Sequence, residues 1–90
     1  MDTNFKHMKL KKNIAISESG FIFDPSSGES FNMNPIGREI LKMLQEGKST
    51  THVTTEILKK YDTDEATFER YYFDFIDMLK QYNLLEYEQN

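Results

Sequence analysis

At Asn34-Pro35 the apolar period of this chain changes, and that change limits the folds open to it. Upstream, apolar residues come in short runs or alternate, the period of strands. Downstream they recur every three or four residues, the period of helices. Asn34 offers a side-chain acceptor to the free amides of a helix start, and Pro35 at the first helical position loses no needed donor. Strands followed by helices make an α+β chain. Ninety residues leave room for one core, and a domain of this size buries roughly 60–65% of its unfolded surface.

Asn13-Ile14-Ala15-Ile16-Ser17 predicts a first strand, closed by Glu18-Ser19-Gly20. Phe21-Ile22-Phe23 predicts a second, apolar enough to be covered on both faces. Asp24-Pro25-Ser26-Ser27-Gly28 has turn chemistry, with proline fixing φ early and glycine supplying a positive φ at the exit. Phe31 and Met33 then alternate with Ser30 and Asn32, a half-buried third strand. Three such strands need helices on one face. A first helix carries Ile36, Ile40, Met43 and Leu44 and stops at Gly47. Ser49 caps a second with Val53, Ile57, Leu58 and Tyr61. Asp64 caps a third, in which Phe68, Tyr72, Phe75, Leu79 and Tyr82 step by four, three, four and three. Asn83 suits a left-handed stop, and residues 84–87 leave as an extended tail. The expected architecture is a winged helix-turn-helix-like fold, a three-stranded antiparallel sheet followed by a three-helix bundle.

Composition excludes several functions. Without cysteine there is no disulfide, thiolate nucleophile or cysteine metal site, and a reducing compartment, the cytoplasm, is expected. No apolar run is long enough to span a membrane, and the first residues lack the apolar core of a secretory signal. Residues 1–12 carry a net +3, with Lys6, Lys9, Lys11 and Lys12 against Asp2, so residues 13–90 carry −7. The basic start is expected to be a flexible segment, residues 1–12, ahead of a domain at 13–87. Catalysis needs converging titratable groups, yet only His7 and His52 are present. Asp74 and Asp77, three apart on the third helix, suit a solvated face. No enzyme activity, metal site or cofactor is expected.

Asp24-Pro25-Ser26-Ser27-Gly28, followed by Phe31-Asn32-Met33-Asn34-Pro35-Ile36-Gly37, resembles the "aspartate-proline-x-x-glycine, then aromatic-x-leucine-asparagine-x-x-glycine" signature of PqqD-like proteins. Ser49 through Tyr61-Asp62, then Phe75-Ile76-x-x-Leu79 and Leu84, follow the rest of that pattern, so the resemblance covers residues 10–86. Asn83 stands where the family has glycine, and His52 where it has a capping glutamate. The resemblance implies a recognition element for ribosomally made, post-translationally modified peptides. Such an element holds a precursor's leader segment as an added strand beside the third strand and against the third helix. It serves a radical S-adenosylmethionine enzyme or another maturase.

The residues bear on that implication. Strand addition needs a free sheet edge with pockets for alternate side chains, and Glu29, Ser30, Phe31, Asn32 and Met33 contain neither proline nor lysine. On the third helix Tyr71, Phe75, Met78 and Tyr82 fall at i, i+4, i+7 and i+11, a second apolar stripe beyond what one core face needs. The expected peptide site joins these nine residues. Two rival readings use the same fold. A DNA-binding winged helix is opposed by Glu65, Glu69, Asp74 and Asp77 against Arg70 and Lys80, a net −2 on the helix meant for the major groove. A general interaction or dimerisation domain would use the same free edge, which also allows a homodimer.

Overall fold

The structure, a computed structural model, describes residues 6–89, and side chains from Met8 to Tyr87. The order is β1 (Lys6–Leu10), β2 (Ala15–Ile16), β3 (Phe21–Asp24), β4 (Glu29–Asn32), α1 (Pro35–Gln45), α2 (Thr50–Lys60), α3 (Glu65–Gln81) and β5 (Leu85–Gln89). Strands β2, β3 and β4 form an antiparallel sheet in that order, and three helices follow it. The α+β winged-helix-like architecture is therefore present. The helix caps are those the sequence predicts. Asn34 Oδ1 accepts the Gly37 N–H at 2.8 Å, Ser49 Oγ that of His52 at 3.1 Å, and Asp64 Oδ1 that of Thr67 at 3.2 Å. At the end of α3, Asn83 turns left-handed at φ 59°. Its N–H donates to Lys80 O and the next amide, on Leu84, donates to Leu79 O. This closes the helix and sends the chain off in a new direction.

That direction is toward the N-terminus. Strand β5 pairs antiparallel with β1, from Leu10 opposite Leu85 to Lys6 opposite Gln89, as a separate two-stranded ribbon. The segment expected to be flexible thus contributes a strand from Lys6 onward, and its first five residues lie outside those described. Two causes override the terminal location. Leu10 and Leu85 are buried in the core, and Lys9 stands opposite Glu86, a favourable cross-strand pairing of opposite charges. The tail after Asn83 is likewise a strand.

The core joins Leu10, Ile14, Ile22, Ile40, Leu41, Leu44, Val53, Ile57, Phe68, Leu79 and Leu84, each 2% exposed or less. Each such side chain contributes about 1.5–3 kcal/mol by leaving water. Leu41 was outside the expected helical stripe because α1 is covered on a wider face, with Ile40, Leu41 and Leu44 all buried. The central strand departs from expectation in the other direction. Only Ile22 of Phe21-Ile22-Phe23 is buried, while Phe21 and Phe23 are 48% and 43% exposed. All three helices gather on the Ile22 face, so the outer face stays open.

Asp24 is buried and organises the turn after β3. Its Oδ1 accepts the Ser26 N–H at 3.0 Å, and its backbone carbonyl accepts the Gly28 N–H at 2.8 Å. Gly20 precedes β3 at φ 93°, and a methyl there would sit 2.8 Å from Met33 O. Between α1 and α2, Glu39 receives Lys60 Nζ at 2.8 Å and the Tyr61 hydroxyl. These bonds, led by that from Lys60, hold the Glu39 carboxyl below its ordinary value, and Lys60 is raised by the same partner.

Two expected outcomes follow for stability. Gly20→Ala combines a strained φ with a backbone clash, and should cost about 2 kcal/mol and lower the melting temperature by about 8–16 °C; a loss of one or two degrees would exclude the clash. Glu39 is stabilising when ionised, so its contribution is full above pH 4.5 and fades as pH falls through its lowered folded value. The small stability gap between wild type and Glu39→Gln should therefore hold at neutral pH and narrow progressively as the pH falls below 4.5 in denaturant titrations.

Candidate functional site

The hydrogen-bond alternation of an antiparallel ladder decides which peptide groups of β4 are engaged. Ser17 N–H donates to Phe21 O at 2.8 Å, and Met33 N–H to Gly20 O at 2.9 Å. Phe21 and Phe23 therefore turn their peptide groups to β2, while Gly20, Ile22 and Asp24 turn theirs to β4. The register sets Ile22 opposite Phe31 and Asp24 opposite Glu29, so Glu29, Phe31 and Met33 are bonded inward. Ser30 and Asn32 direct both N–H and C=O away from β3. Among the described residues no strand lies on that side of β4, and β5 is paired with β1. The edge is open.

Side chains alternate in step. Phe31 shares the inner face with buried Ile22, and Met33 follows it; Ser30 and Asn32 share the outer face with Phe23 and Phe21. On the inner side β4 faces α3. Phe31 and Tyr82 meet edge to face at 4.7 Å between ring centroids. Tyr71 stacks on Phe75 at 6.0 Å, and its hydroxyl donates to Asn34 Oδ1 at 3.3 Å. A methyl at Gly37 would lie 3.1 Å from Phe75 Cε1 and 3.5 Å from Met33 Sδ. The absence of a side chain there lets the start of α1 sit against both residues. Met78 is partly buried against the core, one turn along α3 from Phe75.

Of the nine expected site residues, Phe31 meets Tyr82, and Met33, Tyr71 and Phe75 gather around Asn34 and Gly37, with Met78 between the two groups along α3 in sequence. Phe75 is 7% exposed and forms floor rather than rim. Ser30 and Asn32 bring backbone only, and Glu29 stands exposed at the start of the edge. The stripe from Tyr71 to Tyr82 rises about 16 Å, which an extended chain crosses in about five residues. Asn34 and Gly37 were missed as site-builders. Their visible roles, helix cap and motif glycine, gave no sign that Tyr71 and Phe75 rest on them.

Elsewhere the surface holds hollows of other character. One, about 580 Å³, is lined by Arg38, Glu39, Lys42, His52, Glu56 and Lys60 among others. Its charges are mixed, and Glu39 and Lys60 are paired with each other. Another, about 330 Å³, runs along α3 beside Tyr71, with Thr67, Arg70 and Asp74. Among the described residues no group of three histidine, aspartate or glutamate side chains is arranged to hold a metal, and no helix is long and apolar enough to cross a membrane.

Two solved structures share this fold. One, described as "TbiB1 in Complex with the TbiA(beta) Leader Peptide", is 26% identical, with a TM-score of 0.78 over 87% of this chain and 94% of that one. The other, "Lasso peptide synthetase B1 complexed with the leader peptide", is 22% identical, with a TM-score of 0.75 over 89% of this chain and 98% of that one. No curated protein matches. The family described as coenzyme PQQ synthesis protein D matches residues 20–85, from the glycine before β3 into β5. With its motifs, element order and match over most of its length in agreement, the chain belongs to the PqqD family.

Proposed function

We propose that this protein is a non-catalytic recognition element that binds the leader segment of a ribosomally made precursor peptide and delivers it to a modifying enzyme. The carrying observation is the coincidence of an unpaired strand edge with an aromatic and methionine-bearing flank of α3 that runs about five extended residues in length. An antiparallel guest exchanges main-chain hydrogen bonds with Ser30 and Asn32 and sends alternate side chains between β4 and α3. Methionine and tyrosine suit such adaptable contact. The TbiB1 structure, 26% identical, is a complex with a leader peptide, which supports the same role here.

The enzyme served is a radical S-adenosylmethionine protein or another maturase, and the chemistry resides there. His52 is exposed in the first turn of α2, remote from the groove, and Asp74 and Asp77 are solvated on α3. The net −2 of α3 opposes a duplex phosphate backbone. Working in the cytoplasm, beside the ribosome's product, fits a chain free of cysteine.

Titration calorimetry with synthetic leader peptides, joined to amide hydrogen exchange, tests the reading. Binding in the micromolar range or tighter, about −8 kcal/mol, should protect the Ser30 and Asn32 amides. Protection confined to the α1–α2 hollow would overturn it. Asn32→Pro removes an edge donor without touching the β3–β4 bonds, and proline is tolerated at edges. It should weaken binding about tenfold with the helical signal unchanged; undiminished affinity would rule out this edge. Met78→Asp places a carboxylate in the groove and should reduce affinity more than it lowers thermal stability. The opposite ranking would make Met78 a packing residue only.

A further inference from the structure

The groove and edge account for the guest's main chain and its inward side chains, but not for the open aromatic face of the sheet. On that face Phe21 stands opposite Asn32, and Phe23 between Ala15 and Ser30. Both phenylalanines are nearly half exposed, and β4 covers neither because its outward side chains are short. Two rows therefore run from the aromatic rings over Asn32 or Ser30 to the free edge. A strand added there lies about 10 Å from β3, two strand spacings away. Its residues opposite Ser30 and Asn32 are the ones that exchange hydrogen bonds with the edge, and their side chains emerge on the outer face. Only a long side chain crosses the short one to reach the ring beyond.

We propose that the guest is read on both faces: apolar side chains at alternate positions enter the groove, and lysine or arginine at the two intervening positions lies across Ser30 and Asn32 onto Phe23 and Phe21. This rests on the strand-addition reading above. Two observations favour cations over other long side chains. An exposed aromatic face attracts a cation through its quadrupole, while the aliphatic stem packs along the sheet. The chain carries a net −4, and Glu29 stands at the start of the edge, so the field at the site draws positive charge. The ligand class is thus an extended peptide of the pattern apolar–cationic–apolar–cationic–apolar.

The experiment uses three synthetic peptides with identical glycine-serine flanks and cores Leu-Arg-Leu-Arg-Leu, Leu-Ser-Leu-Ser-Leu and Leu-Glu-Leu-Glu-Leu, titrated into the full chain by calorimetry. The arginine peptide should bind about tenfold more tightly than the serine peptide, and the glutamate peptide most weakly. In the double variant Phe21→Leu/Phe23→Leu, which keeps apolar surface but removes both π-faces, the arginine advantage should fall to about twofold, with serine-peptide affinity unchanged. Equal affinity for the arginine and serine peptides overturns the proposal, as does an undiminished arginine advantage in the double variant, which would assign the preference to net charge alone. Those results leave strand addition standing. Wild type that binds none of the three, or Asn32→Pro that binds them as well as wild type does, removes strand addition and the present proposal together. Sedimentation showing a dimer that Asn32→Pro abolishes would give the edge to a second copy and likewise overturn it.

Discussion

The pairing of the last strand with the first is the constraint from which the rest follows. Strand β5 has a choice of partners once α3 ends, since β4 presents open peptide groups beside the same helix. It goes to β1 because the left-handed turn at Asn83 redirects it and because Leu84 and Leu85, both buried, anchor it next to Leu10. Had it lain beside β4, the outward peptide groups of Ser30 and Asn32 would be paired within the chain. With β5 paired to β1, the outer edge of β4 has no strand partner among the described residues. An open edge is an aggregation hazard in most proteins; here it is short, set beside a helix, and available to an extended guest.

The open edge acquires its selectivity from strand geometry. One alternation governs both the direction of peptide groups and the face of each side chain. Ser30 and Asn32 have outward main chains and outer-face side chains, while Phe31 and Met33 have engaged main chains and inner-face side chains. A guest added at this edge, as proposed above, would exchange main-chain hydrogen bonds at Ser30 and Asn32 and present its side chains alternately to the two faces. Main-chain hydrogen bonds of that kind carry no sequence preference, and on the inner side Phe31 meets Tyr82 while Tyr71 stacks on Phe75. Tyr71 is held by the same Asn34 that caps α1, so helix start and groove wall are one construction.

This arrangement also explains why a helix-turn-helix scaffold has a second use here. In a DNA reader the last helix of the trio must be cationic and exposed on its outer face. In this chain α3 turns Phe68, Tyr72, Phe75 and Leu79 into the core and carries a net negative charge. What it offers is the flank toward β4, where aromatic and thioether groups are half covered.

The local features were legible in the sequence because they depend on neighbours within a few residues. Asn34, Ser49 and Asp64 as caps, Asn83 as the left-handed stop, the Asp24–Gly28 turn and the alternation in Glu29–Met33 each rest on a side chain bonding its own backbone or on a fixed period. The stripe Tyr71, Phe75, Met78 and Tyr82 was visible for the same reason, as helical spacing. The order of strands and helices, and with it the fold class, came from the change of period at Asn34-Pro35.

What depended on distant partners was decided only by tertiary structure. Nothing local tells Lys6–Leu10 that its partner lies beyond residue 84, since that strand gains its stability from burying Leu10 and Leu85 together. Phe21 and Phe23 look like core residues by composition, and only the gathering of all helices on the Ile22 face leaves them in water. The contact of Gly37 with Phe75 and Met33 is likewise a matter of three elements meeting. Short-range bonding and periodicity are written in consecutive residues; which edge stays vacant and which face stays bare is settled by how whole elements compete for the same buried space.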